Sequence, residues 1–584
     1  MIEKRKQLFQ NLEQKILSLR NENNLWTGRL SSSALSTSLA VFALWKYDKQ
    51  KYQQQITQGL NWLVANRNAD GAWGDTIRSQ SNLSTTLITW ATFSIVEKDE
   101  KFLETIRDAE AWLKRRVGSL EPEKLSQAIL DHYKSDQTFS VPILAMCAIS
   151  GRLGENGWTL VPQLPYHLAI FPHRLFRWLR LSVVSYAIPA LIAIGLVKSQ
   201  HSKKNMFRRA VRAICRKRVL DVLKAKQPDN GGFLEATPLT AFVLMSMVHA
   251  DYQDLDVSEK AAQFLSHSIR EDGSWPIDTN LSTWVSSLSL NALSDASLSL
   301  IDSQSDMQAN LLEQQYKKIH PFTRTKPGGW AWTNLQGGVP DTDDTSGALI
   351  ALHRLSKDKG LVLEAARNGI SWLISLQNKD GGFPTFCKGW GKLPFDCSCP
   401  DISAHAIKAF VIWRDEFDKK FQKKINRSLK KAVSYLKKTQ LQDGSFQPLW
   451  FGNELGEHHQ NPVYGTSIVL YGLAELQKSG YEGLNTMIEK AVRFLSMTQH
   501  HHGGWGGDKD LPPSIEETSL ALRAMAACGK ESLAHRAAEC LMQIIPENLD
   551  EIKATPIGLY FASLWYYEDM YPLVFACSAL KELD

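Results

Sequence analysis

Three stretches of the chain end alike. Trp372-Leu373 is followed by Gln377 and then Gly381-Gly382-Phe383, Tyr435-Leu436 by Gln440 and Gly444-Ser445-Phe446, and Phe494-Leu495 by Gln499 and Gly503-Gly504-Trp505. The shared pattern, aromatic-Leu-x3-Gln-x3-Gly-x-aromatic, constrains the fold more than any other feature. Weaker copies stand at Trp62-Leu63 with Gly71-Ala72-Trp73 and at Phe264-Leu265 with Gly273-Ser274-Trp275. Bare Gly-Gly-aromatic marks stand at Gly231-Gly232-Phe233 and Gly328-Gly329-Trp330. From Phe233 onward the marks recur about every 40–65 residues, room for two helices and their loops. Between them the apolar spacing is helical, as in Ala348, Leu349, Ala351, Leu352 and Leu355. A glycine after each helical run fits a C-cap, and the aromatic beside it can pack on the next turn. The expectation is an all-α chain of repeated helix pairs that close into rings or barrels.

At 584 residues, 43% apolar and 22% charged, the chain has core material for more than one domain. A net charge of +6 is small for this length and gives no reason to expect nucleic acid. Lys203–Lys226 is an exception, with ten Lys or Arg against one acidic residue. It reads as a solvated helix face or as a patch for anionic lipid headgroups, since it follows the uncharged stretch Leu181–Val197. That stretch contains Pro189 and is shorter than the roughly 20 residues of a spanning helix, so a buried helix or a monotopic membrane surface is expected. The eight cysteines include no CxxC pair, and the polar start MIEKRKQLFQ has no secretory character; both fit a reducing cytoplasm.

Within GGVPDTDDTSGALIAL, Asp341, Asp343 and Asp344 crowd the start of an apolar helical run. One Asp suffices as an N-cap, and three exceed that need. An isolated aspartic acid, with a pKa near 3.9, is ionised at neutral pH and has no proton to give. Adjacent buried carboxyls cannot all ionise, and a cationic His or helix-start N–H groups can stabilise the base left behind. Such a cluster suits a reaction that needs a strong acid in a dry site, such as protonation of a carbon–carbon double bond.

Together, the repeats, the segment KPGGWAWTNLQGGVPDTDDT and the segment CPDISAHAIKAF (Cys399–Phe410) resemble the squalene–hopene cyclase family of class II terpene cyclases. The resemblance covers nearly the whole chain. VYGTSIVLYGL and TPIGLYFASLWYYEDMYP match the family in outline. It implies two α/α barrels of the α6–α6 toroid type with QW-like repeats, one inserted in the other. On this reading residues 1–20 and 300–584 form the catalytic barrel and 21–299 the inserted one. It also implies Asp343 as proton donor, Asp341 and Asp344 as residues that tune it, and His405 as its hydrogen-bonding partner. Trp332, nine residues before Asp341, falls where the family has a cavity aromatic, and Trp505, Trp284, Phe386 and Tyr560 are further candidates. Their faces would stabilise a carbocation, by up to about 2 kcal/mol each when desolvated. No metal or cofactor is implied. The implied partners are a lipid isoprenoid and a membrane surface, with a monotopic, cytoplasmic enzyme that pairs as a homodimer.

The sequence departs from the family at several places. Leu564 and Pro556 stand where squalene cyclases place aromatics, Val183 replaces a cavity Trp, and Thr37 and Thr237 replace a Glu and a Gln around an ordered water. These changes leave the acid in place and put the substrate and the product open. A related cyclase of a shorter, possibly diphosphate-bearing prenyl chain is the alternative. A zinc-dependent prenyltransferase would draw on Asp396, Cys399 and His459, but two residues separate Asp396 from Cys399 where that family has one. The first turn at Ser514–Glu517 reads as a capping box.

Overall fold

The computed structural model describes residues 2–134, 137–164, 166–170, 188–201, 206–301, 304–356, 359–388, 395–559 and 564–583. It divides into two compact units. Unit 1 comprises Met1–Arg29, Asn280–Asn334 and Gly338–Asp584; unit 2 comprises Leu30–Thr279 and Leu335–Gly337.

Both units are rings of helices within helices. In unit 2 the inner helices are α1 (Ala34–Asp48), α2 (Leu83–Thr92), α3 (Gln137–Ile149), α4 (Ile188–Gln200) and α5 (Thr237–His249). Each packs on the next and α5 returns to α1, so the ring closes with five members among the described residues. In unit 1 they are α6 (Ser282–Ala292), α7 (Thr342–Leu355), α8 (Pro400–Trp413), α9 (Pro462–Lys478), α10 (Ile515–Ala527) and α11 (Tyr571–Lys581). This ring closes with six, α11 packing back on α6. The α6–α6 expectation matches the six inner helices of unit 1; among the described residues unit 2 shows five inner helices.

The sequence separates inner from outer helices. Outer helix Lys419–Thr439 buries Phe421, Ile425, Leu429, Ala432, Tyr435 and Leu436, a single stripe at helical spacing, and turns its lysines outward. In α7 every residue from Asp344 to Leu352 is buried. Residues Ile188–Val197 of the uncharged stretch are buried too, except half-buried Leu191, with Ile188, Ile192, Ala193 and Leu196 in the core of unit 2. That part of the stretch is a core helix; residues 181–187, with Val183, lie outside the described residues.

The repeat ties consecutive outer helices together. Gln377 Nε2 donates to Gly381 O at 2.8 Å and to Ser428 O of the next outer helix at 3.0 Å. Gln440 does the same to Gly444 and Met487, and Gln499 to Gly503 and Leu533. The aromatic N–H is met by an inner-helix hydroxyl: Phe383 by Ser403, Phe446 by Thr466, Trp505 by Thr518 and, in unit 2, Trp275 by Thr37. Glycine is required at Gly444, where φ is +96° and a Cβ would stand 2.3 Å from Lys490 O.

Candidate active site

The turn of one repeat places the acid run. Trp330 pairs with Asp341 across an antiparallel bridge, with Asp341 N–H donating to Trp330 O at 3.1 Å. This fixes Asp341 as the N-cap of α7, where its Oδ1 accepts the Asp344 N–H at 2.8 Å. Capping thus accounts for Asp341 and leaves two further carboxyls in the first turn. A second repeat turn, Phe383 bridged to Cys399, starts α8 in the same way and brings His405 alongside.

Asp343 and His405 meet, with Nδ1 2.7 Å from Asp343 Oδ1. Gly347, one turn along α7 from Asp343, makes room for them: a Cβ there would stand 3.3 Å from Trp284 and 3.7 Å from His405. The Trp284 ring lies edge-on to His405 with centroids 6.0 Å apart, and its indole N–H donates to Tyr571 Oη at 3.2 Å.

Three carboxyls around this pair are displaced from the ordinary range. Burial raises Asp341 to about 7, and burial followed by the charge of Asp341 raises Asp344 well above the usual value. Asp401, 3% exposed in the first turn of α8, is raised to about 7 by burial and by Asp343, and accepts the Cys399 thiol at 2.6 Å. That thiol bond uses the Cys399 offered above as a zinc ligand type.

A cavity of about 80 Å³ runs along the axis of the unit 1 ring. Asp343, Asp401, His405, Trp284 and Tyr464 line it near the helix N-termini. Trp284, Tyr464, Leu520, Ile557 and Tyr571 form a buried cluster against which Trp332, Phe451, Tyr566 and Phe575 pack. Phe451 and Tyr566 reach it from the three-stranded antiparallel sheet of Phe451–Asn453, Ile557–Leu559 and Leu564–Tyr566. Phe386 touches Trp332 edge-on at 6.0 Å.

The structure thus brings together Asp341, Asp343, Asp344, His405, Trp284, Trp332 and Phe386. Trp505 does not join them. It is fully buried, with its indole N–H on Leu495 O at 2.8 Å, the same ten-residue reach that Trp73 and Trp275 make to Leu63 and Leu265. Thr37, in unit 2, likewise serves its repeat turn. Tyr560 lies outside the described residues. Asp401, Tyr464, Tyr566 and Tyr571 were not singled out by sequence, although all four lie inside segments that matched the family.

A family model described as the squalene-hopene cyclase C-terminal domain matches residues 280–545. Enfumafungin synthase of Hormonema carpetanum is 22% identical over 90% of this chain and 44% of its own length, so the chain spans less than half of that relative. Squalene hopane cyclase of Aspergillus fumigatus is 22% identical over 83% of this chain and 75% of that protein. Among solved structures, ent-copalyl diphosphate synthase from Streptomyces platensis shares the fold over 99% of both chains, with a TM-score of 0.57 and 15% identity.

Proposed function

We propose that this chain, a squalene–hopene cyclase-like class II terpene cyclase, protonates a terminal carbon–carbon double bond of a linear isoprenoid from Asp343 and cyclises the resulting cation. The observation that carries the reading is the 2.7 Å Asp343–His405 contact at the wall of a cavity that also holds an aromatic cluster. As the proton leaves, negative charge develops on Asp343, within the first turn of α7 where the helix dipole favours it. The hydrogen bond to His405 stabilises the same charge and orients the carboxyl. Asp344 keeps its proton by burial and so adds no competing negative charge. The cation then meets ring faces, and burial holds the Tyr464 and Tyr571 hydroxyls well above the usual phenol range, so they stay neutral.

Squalene or a close linear triterpene is the proposed substrate. The names of the relatives span squalene and diphosphate-bearing chemistry, so the assay offers squalene, oxidosqualene and C15–C20 prenyl compounds, with and without diphosphate, and identifies products by mass spectrometry. Asp343→Asn is expected to abolish turnover of whichever substrate reacts, with helicity and vesicle association unchanged; near-full activity in that variant refutes the assignment. Peripheral, monotopic association with a membrane, a cytoplasmic location and a homodimer belong to the same proposal. A lipid substrate supports the first, and no described helix is long and apolar enough to cross a membrane.

A further inference from the structure

One outer helix of unit 1 carries a charge that neither the fold nor the proposed reaction explains. Lys419–Thr439 holds eight Lys and one Arg in 21 residues, and no acidic residue. All nine cations are exposed. At about 100° per residue they fall within an arc of about 140°, opposite the buried stripe, along a helix about 30 Å long. Ser434 is the one other residue on that arc. The outer helices on either side are close to neutral: Leu363–Leu376 has one Glu and one Arg, and Asn485–Thr498 one Glu, one Lys and one Arg.

The fold leaves this charge unbalanced. Among the described residues none of the nine joins an ion pair, and Asp418, the acidic N-cap, is taken by Arg367 at 2.8 Å. Four like-charged pairs stand at i,i+4 (Lys419–Lys423, Lys420–Lys424, Lys423–Arg427 and Arg427–Lys431), each unfavourable to the helix. An apolar residue stands at the end of the same helix. Leu441, in the repeat turn directly after it, is 49% exposed. Its N–H donates to Ser445 O, a bond that Asn68, Arg270, Asn378 and His500 make at the same place in their own turns. The turn therefore accepts polar residues there, and its geometry does not require a leucine.

We propose that the exposed face of Lys419–Thr439 docks the protein on an anionic lipid bilayer, with Leu441 entering the boundary between headgroups and acyl chains. The choice of a bilayer rests on the lipid-substrate reading above, and the assignment gives the peripheral association a definite face. The chemistry of the arc favours that partner. Protein interfaces are built around aromatic, Met and Arg anchors and are depleted of Lys, whereas this arc is mostly Lys with no apolar residue. Nucleic-acid readers place Arg, Asn, Gln or stacking aromatics on the bases, and of these the arc holds Arg427 alone. A smeared negative headgroup layer asks only for charge along an extended face. The apolar stripe of the helix is committed to the core of unit 1, so the helix adsorbs without inserting. Leu441 supplies the second, apolar signal that stable association takes. Its turn leads to Phe446, whose N–H donates to Thr466 near the start of α9. The docking face therefore ends on the side of the ring where the inner helices begin and Asp343 stands.

The test is co-sedimentation of the intact protein with vesicles of phosphatidylcholine and of phosphatidylcholine mixed with phosphatidylglycerol, at low and at physiological salt. Binding is expected on the mixed vesicles alone and to fall steeply with salt. Lys423→Gln, Lys430→Gln and Lys437→Gln combined are expected to weaken partitioning about a hundredfold, roughly fivefold for each cation. Leu441→Ser is expected to weaken it several-fold at either salt, with the unfolding midpoint of both variants at or above the wild-type value. No binding to the mixed vesicles, or undiminished binding of the triple variant, overturns the proposal; the second result places membrane association on another surface. Tighter binding to a DNA duplex than to the mixed vesicles, lost in the triple variant, overturns it in favour of nucleic acid. Docking is read without substrate and turnover in detergent micelles. Failed docking with intact turnover therefore leaves the cyclase reading standing, and docking without turnover of any prenyl compound refutes that reading alone.

Discussion

Asp401 shows what burial does to a carboxyl beside the acid without making it the acid. Its ordinary pKa is 3.8, and burial together with the charge of Asp343 raises it to about 7 in the folded protein. Between those values the folded chain holds a proton that the unfolded chain has released. Stability from this group is therefore complete below pH 3.8 and falls as pH rises toward 7, by on the order of 4 kcal/mol in all. Asp401→Asn, which keeps the shape and cannot ionise, is expected to flatten the pH dependence of unfolding between about pH 4 and 7 by about one proton. Urea titrations at several pH values measure this, and an unchanged slope would count against Asp401 as the titrating group. The resemblance pointed to Asp343 and left Asp401 unmarked. That Asp343 is the carboxyl that meets His405 depends on how α7 and α8 pack, a contact between residues some sixty positions apart.

At the scale of elements, the repeat is a device for spacing outer helices, and its glycines carry separable demands. Gly444 and Gly480 both have positive φ, +96° and +86°, but a Cβ at Gly480 meets nothing within 4 Å while one at Gly444 meets Lys490 O at 2.3 Å. Alanine at Gly480 costs only the left-handed strain, about 1–2 kcal/mol. Alanine at Gly444 adds displacement of the next outer helix against the bonds of Gln440, about 2 kcal/mol more. Denaturant unfolding of the two variants is expected to show that gap; equal losses would mean that backbone proximity is not what the repeat conserves energetically. The helix pairs and their ring closure were legible because this constraint is local: the Gln, Gly and aromatic act within ten residues of one another. The fate of Trp505 was not, because the same aromatic-after-glycine pattern serves both a core tie and a cavity wall. Trp332, two residues past its repeat aromatic Trp330, steps out of the tie and into the cluster.

For the whole molecule, unit 1 is completed only when the two ends of the chain meet. The first helix, Ile2–Ser18, packs on α11, Arg5 donates to Leu583 O at 2.8 Å, and Trp26 reaches back to Ile16 O at 2.6 Å. Glu13 accepts the Ser294 N–H at 2.6 Å, tying the same helix to the stretch after α6. Leu12 and Ile16 are fully buried in that contact. The ring therefore depends on contacts that span nearly all of the sequence, which form late and carry a high loop-closure cost. Leu12→Asp puts a carboxylate into the contact and removes a buried leucine, together on the order of 4 kcal/mol or more. Hydrogen exchange followed by mass spectrometry is expected to show lost protection in α11 and α6, with α1 to α5 retaining theirs. The same variant is expected to lose turnover, because α6 carries Trp284, edge-on to His405, and α11 carries Tyr571, which accepts the Trp284 indole N–H. Protection lost equally in the inner helices of both units would show instead that the chain ends stabilise the molecule as a single cooperative body, and that the acid site has no special dependence on the first helix.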